Sequence, residues 1–467
     1  MINTDFRRRV DKALHDDFFR GAVKRTTEKL RNGRINQNKT LVDVQEWRAR
    51  ANALRSHTVQ NLDKYLDQFS TKVEENGGKV YWAMTDKEAV EQIKDICMQK
   101  LAKSVVKSKS MVSEEIHLNH FLEKNNIEVV ETDLGEYIIQ LAKQTPSHII
   151  VPAIHHTRGS VAELFSKVGD EQLPAETPAL TAFARKVLRQ KFIDAEIGIT
   201  GCNFAIAETG SVILFTNEGN GRMVNSLPDT HIVIMGMERI LPSFSDLDTT
   251  LALLPRSATG QKITSYLSIL NGPKKQQEAD GAKEMHVIIV DNGRSRILGS
   301  KYQEVLNCIR CGSCLNVCPV YRQIGGHAYG WVYPGPIGAV ITPLLDGLDR
   351  WGELPYASSL CAACSEACPV RIPLHELLLE LRKDKVRLGN NTKEKLAFGA
   401  YSMAFSSPTQ YKLIKKVGRK MQIPFVKNGK IRGGLPAPIS EWTRTRDLPT
   451  LANKSFHERF EEIQRGE

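Results

Sequence analysis

Seven of the nine cysteines lie between positions 308 and 368, in two runs. The first is Cys308-x2-Cys311-x2-Cys314-x3-Cys318-Pro319, and the second is Cys361-x2-Cys364-x3-Cys368-Pro369. A cubane iron–sulfur cluster needs four soft thiolates converging from a small volume, and two-residue gaps in a tight loop aim three of them at one cluster. The fourth cysteine of such a run, just before a proline, ligates the other cluster of a two-cluster ferredoxin. The spacing therefore predicts one cluster on Cys308, Cys311, Cys314 and Cys368, and a second on Cys318, Cys361 and Cys364. Both are expected to be [4Fe-4S]. Gly312 lets the first loop wrap closely, and amide N–H groups in such loops hydrogen-bond the sulfurs and help set the potential.

The second set is one ligand short. Ser358 stands where a full second run would place its first cysteine. Three readings stay open: Ser358 or another non-cysteine ligand, a [3Fe-4S] cluster, or a cubane with an open iron. Zinc prefers paired C-x2-C knuckles in groups of four, which this pattern suits poorly. Cys97, inside a helical segment, and Cys202, in TGCNFA, read as packing residues.

A second group of candidates lies upstream. Ala207-Glu208-Thr209-Gly210-Ser211 precedes an apolar strand, and Asn217 to Arg222 forms a polar loop with two glycines. Loops beyond strand ends are where open α/β sheets hold ligands. Lys109 or Arg222 could meet an anion there, Glu208 could act in proton transfer, and Thr209, Gly210 and Ser211 could line the site. The plain alternative is ordinary turn residues and a solvated carboxylate. No GxGxxG follows a strand, so a dinucleotide site is not supported. His155, His156 and His327 read as packing rather than metal ligands, since neighbours on a strand point to opposite faces. No Ser-His-Asp or Cys-His arrangement is recognisable.

The elements that must position these residues fall into four segments. Residues 1–75 read as helical, with Leu41, Val44, Trp47, Leu54, Leu62 and Leu66 at roughly helical spacing. Residues 76–298 alternate strands and helices: KVYWAM, SVVKSK, IEVVET, SHIIVPAI, SVILFTN, HIVIMGM and MHVIIVDN are apolar strands, and EEIHLNHFLEKNN is a helix. This alternation argues for an open, mostly parallel α/β sheet. Residues 299–389 hold the cysteines and then the amphipathic helix LHELLLELRKDKVRL, and residues 390–467 form a basic extension of short helices and loops.

Bulk properties bound the rest. The chain of 467 residues is 41% hydrophobic and 25% charged, an ordinary globular composition. No apolar stretch approaches the ~18–20 residues needed to span a bilayer, and the opening MINTDFRRRVDKALHDDFF has no apolar core of a secretory signal. A cytoplasmic location is expected, where clustered cysteines are metal ligands rather than disulfides. The net charge of +11 concentrates at the two ends, which reads first as solvated helix faces and otherwise would suit an acidic partner or peripheral contact with an anionic membrane face. Nucleic acid is not expected, because the basic residues are not interleaved with stacking aromatics.

AETGS on an α/β background, followed by CIRCGSCLNVCPV and CAACSEACPV, resembles the B-type lactate utilization proteins, a LUD-domain family with a ferredoxin-type dicluster insert. The resemblance covers nearly the whole chain. It implies a CoA-transferase- or isomerase-like α/β domain, a small ferredoxin-like dicluster domain and a helical basic tail. It further implies an electron-transfer role in oxidation of L-lactate to pyruvate, alongside A- and C-type components, rather than a complete enzyme alone. The seven cysteines carry over as cluster ligands. The alternative is a regulator that senses redox state at its clusters and a metabolite at the α/β domain.

Overall fold

The computed structural model describes residues 5–389, 392–435, 440, 443 and 446–466. Contacts divide the chain into two units, Met1–Lys385 and Val386–Glu467.

The larger unit opens with four helices: α1 (Phe6–Leu14), α2 (Asp17–Asn38), α3 (Val44–Gln60) and α4 (Leu62–Glu75). Asp5, Asp16 and Asp43 cap the first three by accepting from backbone N–H groups of the first turn. α4 buries Leu62, Leu66, Phe69 and Val73, one stripe at helical spacing that packs on the sheet core.

Six parallel strands form the central sheet in the order β1-β10-β7-β4-β2-β3. They are β1 (Lys79–Ala83), β2 (Ser104–Lys107), β3 (Glu128–Glu131), β4 (Ile197–Gly201), β7 (Thr230–Gly236) and β10 (Glu284–Val290). The central strands β4 and β7 are buried along their whole length, as a sheet covered on both faces requires. A second sheet, β8-β5-β6-β9, is built from β5 (Phe204–Ile206), β6 (Ser211–Thr216), β8 (Ile240–Leu241) and β9 (Tyr266–Leu270). SVILFTN therefore belongs to a mainly antiparallel layer and not to the parallel one.

Two sequence expectations need correcting. SHIIVPAI is not a strand. His148 Nδ1 accepts the N–H groups of Ile150 and Val151, at 3.0 and 3.3 Å, so those donors cannot join a ladder. EEIHLNHFLEKNN is broken into two helices, Met111–Glu115 and Leu118–Lys124, by His117 in the left-handed region at φ 52°.

Beyond β10 come the cysteine runs, the apolar helix Gly335–Asp346 and the helix Leu374–Leu388. One hydrophobic core joins Phe19 and Val23 of α2, Ala51 and Val59 of α3, Phe204 and Ile213 of the second sheet, and the buried cysteines. Among its described residues the smaller unit holds the helices Thr392–Phe405, Pro408–Met421 and Phe456–Arg465 and a short three-stranded ribbon. No described helix is long and apolar enough to cross a membrane.

Candidate iron–sulfur centre

The two cysteine runs fold alike. Residues fifty positions apart share the same backbone conformation: Arg310 and Leu360 have φ 58° and 56°, and Gly312 and Ala362 have φ 72° and 62°. Gly312 and Ala362 each open a five-residue helix, Ser313–Val317 and Ala363–Ala367, and these helices pack on each other. Cys318 and Cys368 follow at φ −73° and −68°, both with ψ 119°. The glycine has a further reason to be one, since a Cβ on Gly312 would sit 3.2 Å from Ile150 Cγ1 and 3.3 Å from His148 Cε1.

This pseudo-symmetry brings cysteines of different runs together. Cys308, Cys311, Cys314 and Cys368 line one hollow with Ile309 and Val370. Among electrostatic neighbours, Cys368 faces Cys311 and Cys308, Cys318 and Cys364 each face Cys361, Cys364 also faces Cys318, and Cys314 faces Cys364 as well as Cys308, Cys311 and Cys368. Cys361 is exposed, Cys308 is half-buried and the other five are buried. Burial first, and then repulsion from neighbouring thiolates, pushes Cys311 up to about 11 and Cys368 up to about 12. These thiols hold their protons, so any metal they take must release them. Amides already point at sulfur, among them Arg310 N–H to Cys308, Tyr321 N–H to Cys318 and Ile372 N–H to Cys368, each at 3.4 Å.

Whether these residues fit iron–sulfur clusters can be tested on an orphan atom. Tyr329 is fully buried, and its hydroxyl has no hydrogen-bond partner among the described residues. Its electrostatic neighbours include Cys318, Cys314 and Cys364. A buried hydroxyl without a partner costs roughly 1–3 kcal/mol. Cluster sulfur beside it would supply the missing acceptor. No three described His, Cys, Asp or Glu side chains converge tightly enough for a single ion. A cubane does not ask for that, because each thiolate binds its own iron.

Arginines hold the centre from outside. Arg48 of α3 donates to the Cys368 carbonyl through Nε and Nη2, at 3.1 and 2.8 Å, and Arg239 donates to the Cys308 carbonyl at 2.9 Å. Arg310 stacks over Tyr333 at 4.4 Å and pairs with Glu238 at 3.3 Å. Glu238 also binds Arg294 at 2.7 Å, and Arg294 makes two bonds of 2.8 Å to Glu115. Sequence reasoning missed this buried network, because none of its members carries a motif. A cavity of about 660 Å³ lined by Arg31, Arg34, Arg48 and Arg322 opens beside the second run.

The upstream candidates divide. Lys109 lies past the C-terminal end of β2, 3.6 Å from Glu136. The residues around it were not legible: Lys107, fully buried, binds Glu131 at 2.7 Å and Glu114 at 3.1 Å. Burial pushes Glu136 up to about 8 against the pull of Lys109, and burial with Asp133 pushes Glu218 up to about 7. Arg222 is exposed on the helix Asn220–Ser226, so the expected polar loop closes into a helix turn. Glu208 accepts from Phe244 N–H at 2.9 Å. Thr209 and Ser211 bond each other at 2.7 Å, and Ser211 donates to Asn271 at 2.9 Å. A Cβ on Gly210 would lie 2.7 Å from the α4 backbone at Lys72 and Val73. This turn is packed on α4. His155 contacts both His156 and His327, with ring centroids 4.7 Å apart in each case, a grouping the sequence did not suggest.

Comparison with known proteins decides the family. The LUD domain matches residues 66–290, the 4Fe-4S dicluster domain matches 304–372, and the C-terminal domain of lactate utilisation protein B matches 385–465. Lactate utilization protein B of Bacillus velezensis is 50% identical over 467 residues, covering 99% of this chain and 98% of the relative. That of Bacillus subtilis is 50% identical over 470 residues, covering 100% and 98%. The chain belongs to the lactate utilization protein B family. A solved structure of a duf162 family protein from Deinococcus radiodurans aligns at 15% identity and TM-score 0.28, over 49% of this chain and 98% of that one. In this lactate utilization protein B family member, a mixed α/β region with a parallel sheet precedes an iron–sulfur segment and C-terminal helices.

Proposed function

We propose that this chain relays electrons in lactate utilization, in the oxidation of L-lactate to pyruvate, through two clusters. Cys308, Cys311, Cys314 and Cys368 would hold the first, and Cys318, Cys361 and Cys364 the second. The observation that carries the reading is the hollow lined by four cysteines drawn from both runs. Bound clusters supply one-electron transfer, and the protein's part is to hold, bury and bias them. Cys361 is the exposed member of the seven, so the second run faces whatever partner exchanges electrons. A- and C-type lactate utilization components fit that place, in the cytoplasm. The α/β region, the cysteine region and the basic tail would act as domains of one carrier.

The test is Cys311→Ala. Lactate-dependent reduction in the presence of the partner components should be lost, while circular dichroism and melting of the α/β region persist. Normal reduction by the variant would refute the proposal.

One observation favours a second reading, in which the α/β region senses a metabolite and the clusters sense redox state. His148 donates from Nε2 to Asn316, at 3.1 Å, between Cys314 and Cys318, and Lys109 is among its electrostatic neighbours. The loop after β2 and the first run thus both face one buried side chain. Faster cluster reduction by lactate with the partners than by lactate alone favours the carrier.

A further inference from the structure

The second cysteine set offers three thiolates to a cluster that has four irons. The pseudo-symmetry of the two runs singles out one more side chain. Superposing residue numbers fifty apart pairs Cys311 with Cys361, Cys314 with Cys364 and Cys318 with Cys368. Cys308 then pairs with Ser358.

Four features make that pairing structural as well as numerical. Two residues after Cys308, Arg310 in the left-handed region donates its N–H to Cys308 Sγ at 3.4 Å. Two residues after Ser358, Leu360 in the same conformation donates its N–H to Ser358 Oγ at 3.1 Å. Arg239 holds the Cys308 carbonyl at 2.9 Å, and Arg382 holds the Ser358 carbonyl at 2.8 Å. Both residues are half-buried. Arg382 also donates to the Pro355 carbonyl at 2.9 Å and lies over Tyr356 at 5.1 Å, so the loop that carries Ser358 is pinned by the helix Leu374–Leu388. The hydroxyl is therefore held in the orientation that the thiol of Cys308 has in the first run.

We propose that Ser358 Oγ is the fourth protein ligand of the second cluster, bound to the iron that Cys318, Cys361 and Cys364 do not reach. The inference rests on the two-cluster reading above. An Fe–O bond forms, the hydroxyl proton leaves to solvent, and no electron moves. The hard, short alkoxide ligates in place of a soft thiolate. The Leu360 amide then plays the part that the Arg310 amide plays at Cys308, donating to the ligating atom. Two buried hydroxyls also face these cysteines: Tyr321 donates to the Ser147 carbonyl at 2.7 Å, and Tyr329 has no hydrogen-bond partner among the described residues. The neighbours of Tyr329 include Cys314 of the first set as well as Cys318 and Cys364, which places it between the sets as a hydrogen-bond donor.

The experiment uses the full chain purified without oxygen, with iron and acid-labile sulfide counted and EPR recorded in the oxidised and reduced states. Wild type should hold about eight irons and show no oxidised three-iron signal. Ser358→Ala should fall to about seven irons and gain that signal. Ser358→Cys should keep the count and shift the spectrum of one cluster. Tyr329→Phe should keep the count. A wild-type protein with about seven irons and a three-iron signal would overturn the ligand while leaving the carrier intact. So would a Ser358→Ala protein with the wild-type count and spectrum, or loss of iron in Tyr329→Phe alone. Zinc in place of iron would overturn the carrier reading itself.

Discussion

Glu238→Gln is the substitution with the most to say about how the protein supports its first cysteine run. Glu238 is buried and faces Arg294, Arg310 and Arg239. Burial would push its carboxyl up, but the three guanidiniums hold it down at about 2, from an ordinary 4.5. A depressed carboxylate contributes stability that is present above the unfolded value and lost as pH falls toward the folded one. The difference converts to about 3 kcal/mol, at ~1.36 kcal/mol per pH unit. Removing one partner of a buried ion pair costs ~3–5 kcal/mol by an independent route. For the 385-residue unit, an unfolding entropy of about 2.1 cal/mol/K per residue turns 4 kcal/mol into a fall of about 5 °C in Tm. The assay is thermal unfolding of wild type and variant, under one loading state, from pH 7 to pH 3. The variant should melt lower at pH 7 and lose less between pH 5 and pH 3, because its titrating group is gone. Equal melting at pH 7, or an equally steep acid limb, would refute the argument.

Three further outcomes are expected. Lys107→Met should destabilise the sheet by ~3–5 kcal/mol, because Glu131 is left buried without its cation; urea unfolding checks this. Gly326→Ala places a Cβ 1.8 Å from the Ser147 carbonyl oxygen, and should cost on the order of 3 kcal/mol or abolish folding, read by expression and melting. Glu136→Gln should stabilise as pH rises. A carboxyl raised to about 8 contributes stability below 4.5 that is lost on the way to 8, so the variant gains up to ~3 kcal/mol on wild type at pH 7. A variant no more stable than wild type at pH 8 would contradict the assigned burial.

The cysteine pattern was legible because cluster chemistry constrains spacing directly, within a few residues. The parallel sheet was legible too, since β7 and β10 are apolar runs whose burial needs no partner to be named. β4, between β7 and β2 with the sequence IGITG, was not legible as a strand. What escaped depends on contacts across long stretches of sequence. SHIIVPAI has the composition of a strand, but His148 takes the amide hydrogens a ladder would use. Lys107 carries no motif of its own, and its burial against Glu131 and Glu114 shows only in the fold. Arg55 lies inside an ordinary-looking helix, yet it is fully buried and donates to the carbonyls of Ile240 and Glu238 and, at 3.2 Å, of Leu306. The pairing of Ser358 with Cys308 was half legible, as a numerical coincidence. Its carbonyl and amide bonds needed the fold.

Arg48 on α3 and the Cys368 carbonyl it grips are 320 residues apart in sequence. Asn52 reaches Val370 in the same way, at 2.9 Å, and Arg34 of α2 reaches the Ala367 carbonyl at 3.5 Å. Closing so long a loop is a late event in folding. During synthesis the cysteine runs emerge long after the helices that will seal them, so delivery of iron and sulfide has an interval in which the thiols stand open. The helices then act as a latch that shuts behind the cargo. Weakening them, as Arg48→Ala would, should leave a protein that acquires its inorganic core at a normal rate and surrenders it sooner to oxygen and chelators.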